Sequence, residues 1–390
     1  MKILNIIDCN MGFSGNMRNS VIDFSQMTTS VVAIITDVVI DGQPVIGYGF
    51  NSMGRYGQSG IIRTRFAPRI LAAAECQLLN TEGTNFSAQK IFDIMMKNEK
   101  PGGHGDRAHA AGAIDMAVWD IISKIERKPL WKYLSETFNQ GAYDDQVFCY
   151  GAGGYYYPDQ GIEGLKSELQ GYLEQGFDCI KIKIGGASLS EDLKRLEAAI
   201  QVAGFSRKVA VDANGKFNLD KAMEYAKALE PYSILWYEEP GDPNDYLLHS
   251  VLVESYSGSI ATAENLFSVQ DTKNMLLFGR LRPNKDIIQT DVNLAYGLTG
   301  AIQIIKMMDQ MGWSRKQIYL HGGHLLCLHL AAAMQLGGSE CYPGVFQPFG
   351  GFNSEVMLNN GMATLPESPG IGVEQKTELY QCLRELVRKE

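Results

Sequence analysis

Cysteine is scarce in these 390 residues: Cys9, Cys76, Cys149, Cys179, Cys327, Cys341 and Cys382 are all there are. None pair as C-x-x-C, the count is odd, and Cys149 and Cys179 sit in apolar runs. Buried, reduced thiols are therefore expected rather than a disulfide framework. No apolar run approaches the roughly 20 residues that cross a bilayer, which argues against a membrane span. The opening MKILNIID is broken by Asn5 and too short for a secretory signal, so a cytoplasmic location is expected. Basic blocks are missing too. Lys and Arg number 35 against 44 Asp and Glu, and the net charge of −9 argues against nucleic acid or anionic lipid as a partner. An anionic small molecule stays open, because a site can be locally basic. At 45% hydrophobic and 20% charged, the chain is neither disordered, collagen-like nor coiled-coil.

Two grammars follow one another along the chain. Residues 30–40 are β-branched, and Asp41-Gly42 is a hairpin signal into 45–48, so a three-stranded antiparallel sheet is expected in the first 50 residues. Helices are expected over 62–80 and 88–98. From Arg107 to Ile125 the apolar residues fall on one 3.6-residue stripe, and Lys128-Pro129 ends that helix. After about residue 145, short β-rich runs alternate with helical patterns, at 147–150, 179–184, 209–212, 234–237, 259–263, 286–290, 317–320 and 338–341. Eight strand–helix units at this pitch predict an α/β fold, a (β/α) barrel (modified TIM barrel), rather than an open Rossmann sheet. The expected division is an α+β capping domain over 1–125, the barrel over 126–360, and a segment over 361–390 that returns to the cap.

Three carboxylates carry the chemistry. Asp212 ends VAVDANG, Glu238 ends the strand in ILWYEEP, and Glu264 follows SIATA, at equal spacing on consecutive strands. In a barrel such strand ends converge on the mouth, where active sites lie. Acidic residues at strand ends also cap helices, but three in register would repel one another unless a cation neutralised them. All-oxygen ligation with open positions suits a hard ion, Mg²⁺ above all. On the second strand, Lys181 and Lys183 alternate with isoleucines and so share one face, toward the mouth. Two close ammonium groups lower each other's pKa, one way to make a lysine a base. Asp291 and His321 end the sixth and seventh strands, where a carboxylate can fix an imidazole's tautomer and raise its basicity. His324 is a weaker candidate. Glu340, on the eighth strand, could hydrogen-bond a substrate carboxylate.

Together these groups address one problem: a proton beside a carboxylate is weakly acidic, and its removal leaves a doubly charged enediolate that a divalent metal can stabilise. KIK, VDANG, YEEP, AEN and the Asp291/His321 pair, in order and spacing over nearly the whole chain, resemble the enolase superfamily in its mandelate racemase branch. That superfamily's Lys or His base with Mg²⁺ is a worked case in general accounts of pKa tuning. The resemblance implies metal ligands Asp212, Glu238 and Glu264, bases Lys183 and His321, Asp291 orienting His321, and assembly into a homo-oligomer.

A narrower resemblance, to tartrate dehydratases, is carried by NSMGRYGQ (51–58), NEKPGGHGDR (98–107), GAGGYYYP (151–158), HGGH (321–324) and ECYPGVFQPFGGF (340–352). It implies a hydro-lyase that converts tartrate to oxaloacetate, with Lys183 taking the C2 proton and His321 protonating the departing C3 hydroxyl. Lys100 then fits a counter-ion for the second carboxylate, and Lys181, Tyr155, Tyr156 and Asn19 are further pocket candidates. The nearest rival is a racemase or epimerase of a hydroxy acid, using the same Lys/His pair. A Schiff-base aldolase built on Lys183 would not need three carboxylates. A non-catalytic scaffold would not need both bases and the dyad.

Overall fold

The computed structural model describes residues 1–12 and 16–388. Its first 50 residues form the antiparallel sheet β1 (Ile3–Gly12), β2 (Thr28–Ile40) and β3 (Gln43–Phe50), in that order. Asp41 and Gly42 both take positive φ, 52° and 78°, the two-residue turn that an Asp-Gly pair favours. Helix Asp106–Ile125 lies across this sheet, every residue from Ala108 to Ser123 buried. It is sealed on two sides by glycines. A Cβ at Gly49 would stand 2.1 Å from Ala113 O, and one at Gly112 would stand 1.9 Å from Asn293 O. The helix is therefore wedged between the cap sheet and the loop that follows the barrel's sixth strand.

The expected helix over 62–80 is instead broken. Pro68 has no amide hydrogen to return to residue 64, and the chain passes it through a wider turn, Ile62–Phe66, in which Ala67 N reaches Ile62 O. Short helices Ala67–Leu71 and Glu75–Leu78 follow, separated by an extended Ala74. The helix expected over 88–98 spans Ala88–Met95.

The barrel strands are β4 (Gln146–Ala152), β5 (Ile180–Lys183), β6 (Val209–Asp212), β7 (Tyr237–Glu238), β8 (Ile260–Thr262), β9 (Ile287–Ile288), β10 (Tyr319–Leu320) and β11 (Gly338–Cys341). They pair in parallel from β4 through β9 and from β10 through β11 back to β4. Contacts between Ile288 and Ile318, and from His321 N to Thr290 O at 3.2 Å, bring β9 to β10. The eight-stranded parallel barrel with an antiparallel capping sheet is thus the fold. Each of the seven gaps between these strands holds a helix, but no helix comes directly after β11. Instead the chain makes a small hairpin, Leu358–Asn359 with Met362–Thr364, paired back onto β4. It then runs to helix Thr377–Arg388.

That last helix buries Leu379, Leu383 and Leu386, and sets Tyr380 against Tyr48 of β3. Glu374 ion-pairs with Lys124 at 2.6 Å, and Ile371 N donates to Asp120 at 2.9 Å. The tail therefore packs on the N-terminal unit, its last two residues lying outside the described range. His329 adds a further link: its Nδ1 accepts from Trp131 N and its Nε2 donates to Ile371 O, each at 3.0 Å.

Cys149, Cys179, Cys327 and Cys341 are buried, as expected of reduced thiols in apolar runs, whereas Cys9 and Cys382 are half-buried and Cys76 is exposed on the broken helical segment. Among the described residues no helix is long and apolar enough to cross a membrane.

Candidate active site

Strand register brings the acidic residues together. The ladder sets Lys183 opposite Asp212, and Asp212 opposite Glu238. Glu264 lies two residues beyond β8, and ligand oxygens of Asp212, Glu238 and Glu264 all fall within 4.8 Å of one another, all three residues buried. Neighbours fix them. Trp236 Nε1 and Gln289 Nε2 donate to Glu238 Oε2 at 2.8 Å each, and Asn214 N donates to Asp212 Oδ1 at 2.8 Å. Asn265 Nδ2 bridges Glu239 and Glu264, at 2.8 and 3.1 Å.

The electrostatics of this cluster fit a cation. Burial and the neighbouring Asp212, Glu340 and Glu264 push the Glu238 carboxyl up to about 7, although Lys181 lies against it. Burial opposes ionisation of Asp212 as well, but the Lys183 and Lys181 ammonium groups hold it down to about 2. Glu264 Oε2 makes no hydrogen bond, though His321 Nε2 stands 3.1 Å away. A buried group of three carboxylates with ligand oxygens this close together, one oxygen of Glu264 accepting no hydrogen bond, is the donor set of a hard divalent ion.

Two side chains able to carry a proton, Lys183 and His321, flank the triad at opposite ends. Lys183 Nζ is 2.5 Å from Asp212 Oδ2. His321 Nε2 faces Glu264, and its Nδ1 is 2.7 Å from Asp291 Oδ2. Burial works against a charged imidazole here, but Glu264, Glu340 and Asp291 outweigh it and raise His321 to about 10. The expectation that the lysine pair lowers itself toward neutrality is not met. Burial and Lys181 push Lys183 down, yet Asp212 prevails and both lysines are raised.

A cavity of about 420 Å³ opens over the site, walled by Lys183, His321, Glu264, Tyr155, Asn19 and Arg55 among others. Several sequence candidates lie elsewhere. Lys181 and Glu340 are fully buried beneath it, ion-paired to each other at 2.7 Å. Lys181 and His321 hold Glu340 ionised against the effect of burial, so it has no proton to offer a substrate carboxylate. Tyr156 does not wall the cavity; its hydroxyl donates to Asp192 at 2.6 Å, beneath Arg195. Tyr155 takes its place, with Lys183 Nζ 5.1 Å from its ring centre, because neighbours on an extended segment face opposite ways. Lys100 is exposed, and Pro101, Gly102, Gly103 and His104 after it wall an adjoining cavity of about 740 Å³. Asn19 is at the mouth, its side-chain oxygen accepting from Val21 N and Ile22 N. His324 is buried behind the dyad, against Phe50.

Sequence reasoning missed Arg55, Asn265 and Tyr342. Tyr342 walls the cavity and its hydroxyl lies 3.0 Å from His321 Nε2. All three fall inside segments already singled out by motif, but nothing in their spacing separates them from ordinary loop residues.

Residues 164–379 match the family described as enolase C-terminal domain-like. The chain belongs to the enolase superfamily. Among its curated relatives, arabinonate dehydratase of Saccharolobus solfataricus is 32% identical over 75% of this chain and 78% of that protein. L-talarate/galactarate dehydratase of Salmonella typhimurium is 26% identical over 89% and 81%. The superfamily fold recurs in the solved structure of a racemase from Streptomyces coelicolor A3(2) with bound magnesium, with a TM-score of 0.77 at 24% identity over 98% of each chain.

Proposed function

We propose that this superfamily member is a Mg²⁺-dependent hydro-lyase that dehydrates a small acid sugar. The observation that carries the reading is the placement of Lys183 and His321 at opposite ends of the Asp212–Glu238–Glu264 cluster, both opening on one cavity. Asp212, Glu238 and Glu264 would hold the ion, which when bound supplies positive charge to offset the second negative charge of an enediolate.

The chain's own residues do the rest. Lys183 takes the proton from the carbon beside the carboxylate as the free amine, a form that Asp212 disfavours here and would disfavour less with its charge offset by the ion. His321, held protonated by Glu264, Glu340 and Asp291 and oriented by Asp291 behind it, gives a proton to the hydroxyl leaving the next carbon. The enol left behind then ketonises. Tyr155 and Tyr342 close the walls around both groups and limit access of water. Within this class, tartrate going to oxaloacetate is the reading favoured by the segments at 51–58, 98–107 and 340–352; the curated relatives are named for longer acid sugars. A cytoplasmic location and a homo-oligomeric state belong to the same proposal.

The same pair serves a racemase or epimerase if no hydroxyl is expelled. An NMR screen in D₂O with Mg²⁺, over the tartrate stereoisomers and the five- and six-carbon acid sugars, separates the two. A keto acid that fails to form with EDTA supports dehydration. Deuterium at the α carbon without a keto acid shows racemisation or epimerisation, and no change with any acid overturns the proposal.

A further inference from the structure

Building on the acid-sugar reading, we infer that Arg55 binds a second carboxylate at the far end of the substrate, making the protein selective for acid sugars with a carboxylate at each end.

Three side chains able to carry positive charge wall the cavity: Lys183, His321 and Arg55. The first two are committed, Lys183 to Asp212 and His321 to Asp291 and Glu264. Among the described residues no carboxylate ion-pairs with Arg55, and its recorded hydrogen bond runs from Nη1 to the neighbouring Gly54 O at 2.7 Å. A guanidinium carries five N–H donors and cannot shed its charge, so most of its capacity is left for something that enters the cavity.

Its surroundings offer no substitute. The guanidinium carbon stands 5.9 Å from the centre of the Phe267 ring, over its face, an arrangement that orients the planar group without neutralising it. Near it lies His109, buried, with neither ring nitrogen hydrogen-bonded and Asp106 Oδ1 4.0 Å off. Burial and the Arg55 charge push that imidazole down to about 3, so it is neutral. The acidic residues on the same walls are engaged elsewhere: Glu239 with Asn265, and Asp242 with Asn244 N at 2.8 Å. Arg55 belongs to the cap, whereas the carboxylate triad belongs to the barrel. A diacid would therefore place one end at the triad and the other at Arg55. Lys100, the cation the sequence offered for this role, does not wall the cavity.

Arginine meets a carboxylate through two parallel N–H bonds, which gives geometric selectivity as well as attraction. A primary alcohol in the same place leaves the charge unmatched, and sites built around a polar partner reject analogues that lack it. Kinship does not decide the matter, because arabinonate carries one carboxylate while talarate and galactarate carry two, and enzymes named for each are relatives.

The test compares matched pairs with Mg²⁺-loaded enzyme: tartrate against threonate, and galactarate against galactonate. Each pair differs at the terminal carbon alone, carboxylate against hydroxymethyl. The wild type is expected to favour the diacid. Arg55→Met should reduce kcat/KM for the diacid by about ten- to a hundredfold, mainly through KM, and leave the mono-acid nearly unchanged. Arg55→Lys keeps the charge but loses the fork, and should fall between; it also guards against a Met variant that does not fold. A wild type that prefers the mono-acids, or a diacid preference that survives in both variants, overturns the assignment while leaving dehydration intact. If the wild type acts on no acid of either kind, the acid-sugar reading itself fails and Arg55's role falls with it.

Discussion

Ser52, just past β3 of the cap, donates its hydroxyl to Asp291 Oδ2, the same oxygen that faces His321 Nδ1. The cap thus reaches past the cavity and touches the carboxylate that holds His321 Nδ1. Asp291 Oδ1 is held from the other side by Leu294 N at 3.0 Å. Removing the Ser52 hydroxyl leaves a buried carboxylate one donor short, so Ser52→Ala should cost about 1–3 kcal/mol in urea unfolding. It should also reduce kcat with little change in KM, and Ser52→Thr should restore most of both. Asp291→Asn should be far worse, with roughly a thousandfold loss of kcat, because His321 then loses the partner that aligns its ring and adds to the charge holding it protonated.

Gly112 reports on the joint between cap and barrel. A methyl group there would sit 1.9 Å from Asn293 O, a backbone atom two residues beyond Asp291. Because backbone has to move, Gly112→Ala should destabilise by about 3 kcal/mol. Thermal melting and activity should fall together, since the displaced loop carries Asp291.

The carboxylate triad should behave as a ligand-stabilised site. On the proposed reading Mg²⁺ binds only the folded chain, so Tm should rise with its concentration, by about 2.7 kcal/mol of stability at a hundredfold excess over Kd. Glu264→Gln should abolish most of that shift. A Tm that ignores Mg²⁺ in the wild type would remove the metal from the mechanism.

His329 should make the tail's attachment pH-dependent. Burial holds the ring down to about 4, against the raising effect of Ile371 O. An unfolded histidine takes its proton near 6.5, so between 6.5 and 4 the unfolded chain binds more protons than the folded one. The stability is therefore complete above about pH 6.5 and is lost as pH falls toward 4, to the extent of about 3 kcal/mol from this group. His329→Gln should be weaker at pH 8, yet lose less on acidification to pH 5. Equal losses for both proteins in urea titrations would refute the assignment.

Much of this arrangement is legible in the sequence because it follows local rules. The Asp41-Gly42 turn, the β-branched runs and the strand-end positions of Asp212 and Glu238 all follow from short-range chemistry and the two-residue period of a strand. What was missed depends on neighbours distant in sequence. Tyr155 and Tyr156 are chemically alike; alternation along the segment turns them opposite ways, and Asp192, Gly186 N and Arg195 hold Tyr156 away from the mouth. The lysine pair reads as self-lowering until Asp212 is seen opposite Lys183. Lys100 and Arg55 are both cap cations in polar loops, and the path of each loop over the barrel decides which one meets the cavity. The helix across 62–80 fails at Pro68, whose missing amide hydrogen was visible but whose local remedy, a wider turn, was not.

The division of labour between Lys183 and His321 is tested most directly by solvent exchange. Lys183→Ala and His321→Asn would each be incubated with Mg²⁺ and the substrate in D₂O, following α-deuterium and keto acid together by NMR. The expected result is that His321→Asn still exchanges the α proton but forms keto acid at least a hundredfold more slowly, whereas Lys183→Ala does neither. Exchange that persists in Lys183→Ala and vanishes in His321→Asn would contradict the assignment of roles, and exchange in both would contradict the two-base site itself.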